Sequence, residues 1–332
     1  MKTISLQNTS KKQILKSITE VIKKSKSFFI AGHMKPDGDT IGSGLALASM
    51  LKRLGKKVVH CSADEIPYDL MFMKGVSKIK ITDKITGKYD CALILESINL
   101  RRVGNIIEPS QVKTIINIDH HLAHTNFGYI NYVVPSSSSV AELVYEVFTA
   151  AKIIPTKEEA ENLYIGIVTD TGRFQQLNTN ANSHLTAAEL LKCGVNASEI
   201  SKKIFLKKPL SKLKLYGLAL SDLKTDINDK FIYVKLTKNM FKKAQANDYD
   251  ADGIINYCIS VPTAAVGCIM KEVNEKTTKI SLRSIEKFNL LNVVKKFGGG
   301  GHKNAAGCTI NENINKAEKI IIKAFKDKLS AK

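Results

Sequence analysis

Residues 113–121 read KTIINIDHH. The run is apolar on both faces, too short for a helix, and it stops abruptly on three ionisable side chains. That is the profile of a strand buried in a parallel sheet, where ligands collect outside the carboxyl ends. Working outward, YDCALILES (89–97), SFFIAGH (27–33), KKVVHCSA (56–63) and a short YINYV (129–133) repeat the pattern. Helical stripes lie between and around them. Ile14, Leu15, Ile18, Val21 and Ile22 share one face over 9–25, and 41–54 forms a second helix stopped by Gly55. After Ser136–Ser139, which are placed to cap a helix start, Val140, Leu143, Val144 and Val147 mark a third, and further helices fit 157–169 and 182–193. The expected fold class is α/β, a parallel-sheet N-terminal domain with helices on both faces.

Near Lys202–Lys214 the texture changes to a lysine-rich, Pro209-containing stretch, and beyond it the pattern restarts. Strands are expected at FIYVKL (231–236), AVGCIMKEV and TKISLRS, helices around 238–260 and 289–297, and a lysine-rich helix at the end. This predicts a smaller α+β C-terminal domain. The boundaries are residues 1–195 for the first domain, 196–225 for a connecting helix and linker, and 226–332 for the second domain.

The chain of 332 residues is long enough for two cores. Its net charge of +19 comes mostly from lysine spread over every segment, with only five arginines, so solvated faces explain it better than a dedicated polyanion track. The arginines are more pointed, because Arg101, Arg102, Arg173 and Arg283 stand in or beside the motifs below. Six scattered cysteines without a CxxC pair read as buried reduced thiols, not as a zinc site. No segment reaches the roughly 18 apolar residues of a membrane span. With no leader-like start, the expected location is cytoplasmic, with no membrane partner.

The decisive pattern is where acids and histidines sit. His33 follows one strand, with Asp37 and Asp39 in the loop HMKPDGD. Glu96 closes the next, Asp119, His120 and His121 close the third, and Asp170 ends the apolar stretch LYIGIVTD, read as a fourth strand-end position. Taken alone, each has an ordinary explanation as a turn, a solvated strand end or a hydrogen-bonded histidine. Gathered at one rim they would crowd several anions, which cations must neutralise. Mixed carboxylate and imidazole donors suit a first-row divalent metal, manganese above all.

His33-x-x-x-Asp37-x-Asp39, Glu96, Asp119-His120-His121 and Asp170-Thr171-Gly172 resemble the four-motif series of DHH phosphoesterases. The run Gly298–Gly301, His302, Lys303, Asn304, Ala305, Ala306, Gly307, preceded by Ser281-Leu282-Arg283-Ser284, is similar to the signature of the DHH-associated substrate domain. Together they span nearly the whole chain, at separations like those of the nanoRNase and adenosine bisphosphate phosphatase branch.

The resemblance implies two divalent ions. One would be held by His33, Asp37 and Glu96, the other by Asp39, Glu96, His120 and Asp170, with Glu96 bridging. Asp119 would orient the histidines, and His121 would face the phosphate as general acid or positive contact. The position of Glu96 is usually aspartate in the family, and the extra methylene bears on metal spacing. Arg283, Gly299, Gly300, Gly301, His302 and Asn304 would supply anion recognition, with Arg102 and Arg173 as further phosphate contacts.

A substrate held between two such domains is short, and closure about the linker would exclude water. The expected activity is therefore manganese-dependent exonucleolytic hydrolysis of RNA dimers to pentamers to nucleoside monophosphates, with dephosphorylation of adenosine 3′,5′-bisphosphate as a related reaction. Alternatives are a cyclic di-AMP or pApA phosphodiesterase, and a non-catalytic nucleotide sensor whose metal site Glu96 has spoiled. Inorganic pyrophosphate and long single-stranded DNA rank lower, the latter because the chain lacks tryptophan and carries only 7% aromatic residues for stacking. Sheets of this kind often pair at exposed edges, so a homodimer is a candidate assembly.

Overall fold

The computed structural model describes residues 3–122, 124–285, 288–301 and 303–329. The chain divides into two compact units, Met1–Lys207 and Lys208–Lys332.

The first unit runs β1 (Ile4–Ser5), α1 (Lys11–Lys24), β2 (Ser27–Ala31), α2 (Gly38–Arg53), β3 (Lys57–Ser62), β4 (Lys80–Ile81), β5 (Tyr89–Leu95), β6 (Val112–Asp119) and β7 (Ile130–Val133). Then come α3 (Val140–Ala150), α4 (Lys157–Asp170), α5 (Ala181–Lys192) and α6 (Ala197–Ser201). The seven strands form one sheet in the order β1-β7-β6-β5-β2-β3-β4, and every pairing is parallel. Strand alternation explains the apolar runs. Phe28 and Ile30 enter the core shared with α1 to α4, while Phe29 and Ala31 enter a second core with Val103, Ile106 and Ile107. Helical segments thus cover both faces, α-helices on one and the 3-10 turn Leu100–Val103 on the other.

The ends of these elements are set locally. Helix α2 begins at Gly38, three residues before its expected start, because the Asp37 side chain accepts the N–H groups of Asp39 and Thr40. Ser139 caps α3 by accepting Glu142 N–H. Asp170 closes helix α4, the helix expected over 157–169, which corrects its reading as a strand end. The run LYIGIVTD is apolar because α4 lies buried against α2 and α3, and a helix buried all round has the same texture as a buried strand.

The second unit runs α7 (Leu210–Ser221), β8 (Lys224–Asp226), β9 (Phe231–Leu236), α8 (Lys238–Ala244), α9 (Ile254–Ile259), β10 (Val266–Asn274) and β11 (Thr277–Ser284). It ends with α10 (Leu291–Val294), β12 (Gly300–Gly301), β13 (Ala305–Ile310) and α11 (Ile314–Leu329). Its mixed sheet has the order β12-β13-β11-β10-β9-β8, parallel only between β9 and β10. Apolar cores lie on both sides of it. The six cysteines are free thiols. Among the described residues no helix is long and apolar enough to cross a membrane.

Candidate metal centre

Strands β2 and β5 are neighbours, with β3 and β4 beyond one and β6 and β7 beyond the other. Such a reversal of winding opens a crevice at the carboxyl ends of the two central strands. His33 lies just beyond β2, Glu96 just beyond β5, and Asp119 ends β6, so the sheet itself delivers three of the expected positions to one rim.

Three groups of potential donors form there: His33, Asp37 and Glu96; Asp39, His120 and Asp170; and Glu96, His120 and His121, each with ligand atoms within 4.8 Å of one another. Glu96 and His120 each belong to two groups. His33 Nε2 lies 3.8 Å from Asp37 Oδ2 and 3.7 Å from Glu96 Oε2, and its Nδ1 is fixed by the Met34 carbonyl at 2.8 Å. His120 Nε2 lies 3.7 Å from Asp170 Oδ2, with Nδ1 3.2 Å from the Ser137 carbonyl. Carbonyls accept only, so in both rings Nδ1 carries the proton and Nε2 is left as the donor atom for a metal.

The carboxylates are held as firmly. Asp39, fully buried, accepts Val140 N–H at 2.6 Å through Oδ2, and Ala141 N–H at 2.8 Å and Ser43 Oγ–H at 3.2 Å through Oδ1. The amino end of α3 therefore points its dipole at this acid. Glu96 leaves β5 with φ of 51°, an uncommon left-handed conformation for a side-chain-bearing residue. Its N–H donates to the Ile118 carbonyl at 2.9 Å, and Thr40 Oγ1 donates to its Oε2 at 2.5 Å. Asp119 Oδ1 accepts the N–H groups of His120 and His121 and the His121 ring Nδ1, while its buried Oδ2 has no partner among the described residues. Asn178 donates from Nδ2 to Asp170 Oδ2 and to the carbonyls of Asp170 and Ser138. Thr40, Ser43 and Asn178 were invisible in the sequence, since each meets its partner only through the fold or through an ordinary turn.

Electrostatics test whether a cation fits. Burial, then the charge of Asp170, pushes the Asp39 carboxyl up to about 7. Burial, then Asp37 and Asp39, lifts Glu96 well above the usual range, and burial raises Asp170 to about 6 although His120 pulls the other way. Burial would lower His33 and His120, yet the surrounding carboxylates raise both. The protein alone can neutralise this cluster only with protons. Divalent cations fit the same donors and supply the missing charge.

The other expected contacts are more dispersed. Arg102 sits exposed in the turn Leu100–Val103, whose carbonyl at Arg102 accepts Met34 N–H at 2.7 Å and so laces the turn to the His33 loop. Arg173 is exposed three residues after Asp170. In the second unit, Arg283, Gly299, Gly300 and Gly301 line a cavity of about 690 Å³. Gly301 has φ of 135°, and a Cβ there would lie 2.5 Å from the Ala305 carbonyl, so strand pairing with β13 already demands glycine. Asn304 does not line this cavity; its amide donates to Ser284 Oγ at 3.0 Å and the Ile285 carbonyl at 2.7 Å. His302 lies outside the described residues.

Residues 27–167 match the DHH family, N-terminal domain, and residues 228–330 match the DHHA1 domain. The bifunctional oligoribonuclease and PAP phosphatase NrnA of Thermus thermophilus is 29% identical over 318 residues, 95% of this chain and 94% of that protein. The Bacillus subtilis protein of the same description is 26% identical, over 84% of this chain and 87% of its own. An exopolyphosphatase-related protein from Bacteroides fragilis superposes with a TM-score of 0.89 at 29% identity, covering 97% of this chain and 99% of that one. The donors from His33 to His121 thus fall in the segment matching the first domain, with Asp170 three residues beyond it, and the glycine-lined cavity falls in the segment matching the second; the chain carries a DHH family N-terminal domain followed by a DHHA1 domain.

Proposed function

We propose that this chain is a phosphoesterase carrying two divalent ions, manganese foremost, that hydrolyses RNA dimers to pentamers to nucleoside monophosphates and removes phosphate from adenosine 3′,5′-bisphosphate. The observation that carries the reading is the convergence of His33, Asp37, Asp39, Glu96, His120, His121 and Asp170 into three overlapping donor groups at the sheet's switch point. Homologues described as oligoribonuclease and PAP phosphatase along most of their length support the choice of substrate.

His33, Asp37 and Glu96 would hold one ion and Asp39, Glu96, His120 and Asp170 the other. Bound there, the ions supply an acidic water and positive charge for the phosphoryl oxygens. The protein's own groups do the rest. In its doubly protonated form His121 would donate Nδ1–H to Asp119 and deliver its Nε2 proton to the departing sugar oxygen as that oxygen's bond to phosphorus breaks, while the bond from phosphorus to water's oxygen forms and that water's proton passes to solvent. Arg102 and Arg173 would steer phosphate on the first unit, and Arg283 with the glycine-lined cavity would take an anion on the second.

A panel assay with manganese tests this, using RNA dinucleotides and pentanucleotides, adenosine 3′,5′-bisphosphate, cyclic di-AMP and pyrophosphate, with Asp119→Ala plus His120→Ala as the inactive control. Turnover of the short RNAs to monophosphates is expected. Activity confined to cyclic di-AMP would reassign the substrate, and nucleotide binding without turnover under any metal would make the chain a sensor.

A further inference from the structure

Beyond Asp170 the backbone does something costly. Gly172, Arg173 and Phe174 follow one another with φ of 53°, 67° and 61°, all left-handed, and two of them carry side chains. Strain of this kind persists only where the surroundings over-determine it. Two aromatic stacks do so. Phe174 lies against the His184 ring, with centroids 4.6 Å apart and planes 22° apart, and packs on the main core. Arg173 lies over the Phe205 ring, its Cζ 4.4 Å from the centroid.

Phe205 reaches that place through a second irregularity. After α6 the chain widens into a π turn over Lys202–Leu206, in which Lys207 N–H donates to the Lys202 carbonyl at 3.0 Å. π turns are rare and tend to occur at functional sites, because the extra residue re-aims the side chains that follow. Phe205 is itself half-buried and packed on the core, so its ring is a fixed platform. The guanidinium it carries is exposed, and among the described residues it has no hydrogen-bond or ion-pair partner. One face of a planar cation is covered by a ring, and its donor edges are left open.

We propose that Phe205 is the positioning residue that holds Arg173 as a preformed fork for a phosphate group of the nucleotide substrate. This rests on the proposed function, since Arg173 stands three residues from Asp170 of the metal centre. A ring beneath the guanidinium restricts its plane without consuming a single N–H, which lowers the ordering cost when a phosphate engages it bidentately. An aliphatic side chain at 205 would fill space but provide no such platform.

The test measures kcat and KM for an RNA dinucleotide with manganese in Phe205→Leu, Phe205→Tyr, Arg173→Ala and the double variant Phe205→Leu plus Arg173→Ala. Expected results are a KM raised about five- to tenfold in Phe205→Leu with kcat within about twofold, and recovery in Phe205→Tyr. In the Arg173→Ala background, Phe205→Leu should add nothing. An unchanged KM in Phe205→Leu, or an equal loss in that background, overturns the inference. Calorimetric binding of adenosine 5′-monophosphate separates the two readings. Binding weakened by both single variants in a chain that hydrolyses none of the panel overturns the proposed function and leaves Phe205 in its role. Binding insensitive to Arg173→Ala overturns the inference, and no binding at all overturns both.

Discussion

His121 Nδ1 lies 2.7 Å from Asp119 Oδ1, and the same oxygen receives the backbone N–H groups of His120 at 2.8 Å and His121 at 3.2 Å. Although burial opposes it, the His121 contact keeps the Asp119 carboxyl below its usual range, so it is ionised and acts only as acceptor. Nδ1 must then carry a proton. Asp119→Asn keeps the size and one acceptor but removes the charge that orients and polarises the imidazole. We expect kcat to fall about 10- to 100-fold with little change in thermal midpoint. Steady-state kinetics beside a thermal melt check this, and an undiminished kcat would show that His121 acts without Asp119.

The anion cluster makes stability depend on pH and metal in a definite direction. Asp39 rises from 3.8 to about 7 on folding, so its contribution is full below pH 3.8 and is lost as pH climbs through about 7. His33, raised from 6.5 by its carboxylate neighbours against burial, loses its contribution as pH climbs above that value. Buried His60 works oppositely: burial lowers it from 6.5 to about 4, so its contribution is lost on the acid side of 6.5. Above pH 6.5 the first two act without that opposition. With a chelator present, the melting temperature should fall as pH rises from 6.5 toward about 8.5. Added manganese should raise it and remove the decline, because the cation replaces the protons. A metal-free midpoint that rises over this range would mean the acids are not crowded as described.

How legible all this was depends on where each residue gets its meaning. His33, Glu96 and Asp119 could be read as strand ends because buried parallel strands are continuous apolar runs that stop at the rim. Asp170 admits two readings, the end of the helix expected over 157–169 and a fourth strand end, since a helix buried as deeply as α4 mimics such a run. Strands β1 and β4, two residues each, carry no periodicity. Asn178 was silent because its amide meets Asp170, eight residues away in sequence, and the Ser138 carbonyl, 40 residues away, only through the fold. The platform at Phe205 needs a π turn, for which no sequence period exists.

That silent residue yields a prediction. Asn178 Nδ2 bonds Asp170 Oδ2 at 3.2 Å and ties it to the carbonyl that precedes the α3 cap. Asn178→Ala frees the Asp170 carboxylate to rotate while leaving every proposed metal donor in place. Manganese affinity should weaken about tenfold, with kcat at saturating metal largely restored. A calorimetric manganese titration reads this directly, and unchanged affinity would mean that Asp170 is held by its helix alone.

The last prediction concerns room. Helix α4 approaches α3 and α2 so closely that a Cβ built at Gly166 would stand 2.6 Å from Ala141 Cβ and 2.8 Å from Asp39 Oδ1. Ala141 is fixed in the first turn of α3, and Asp39 is fixed by the two N–H groups it accepts there. None of these atoms is the far end of a flexible chain, so Gly166→Ala must push α4 from α3 or dislodge Asp39. The expected cost is about 1–3 kcal/mol of stability, read as a lower urea midpoint, together with weaker manganese binding. Gly217→Ala supplies the contrast. Gly217 is exposed in α7, and nothing lies within 4 Å of its built Cβ, so alanine there should stabilise by about 0.5–1 kcal/mol through helix propensity. If Gly166→Ala also stabilised, the close approach that presses Asp39 into the donor cluster would not exist in solution.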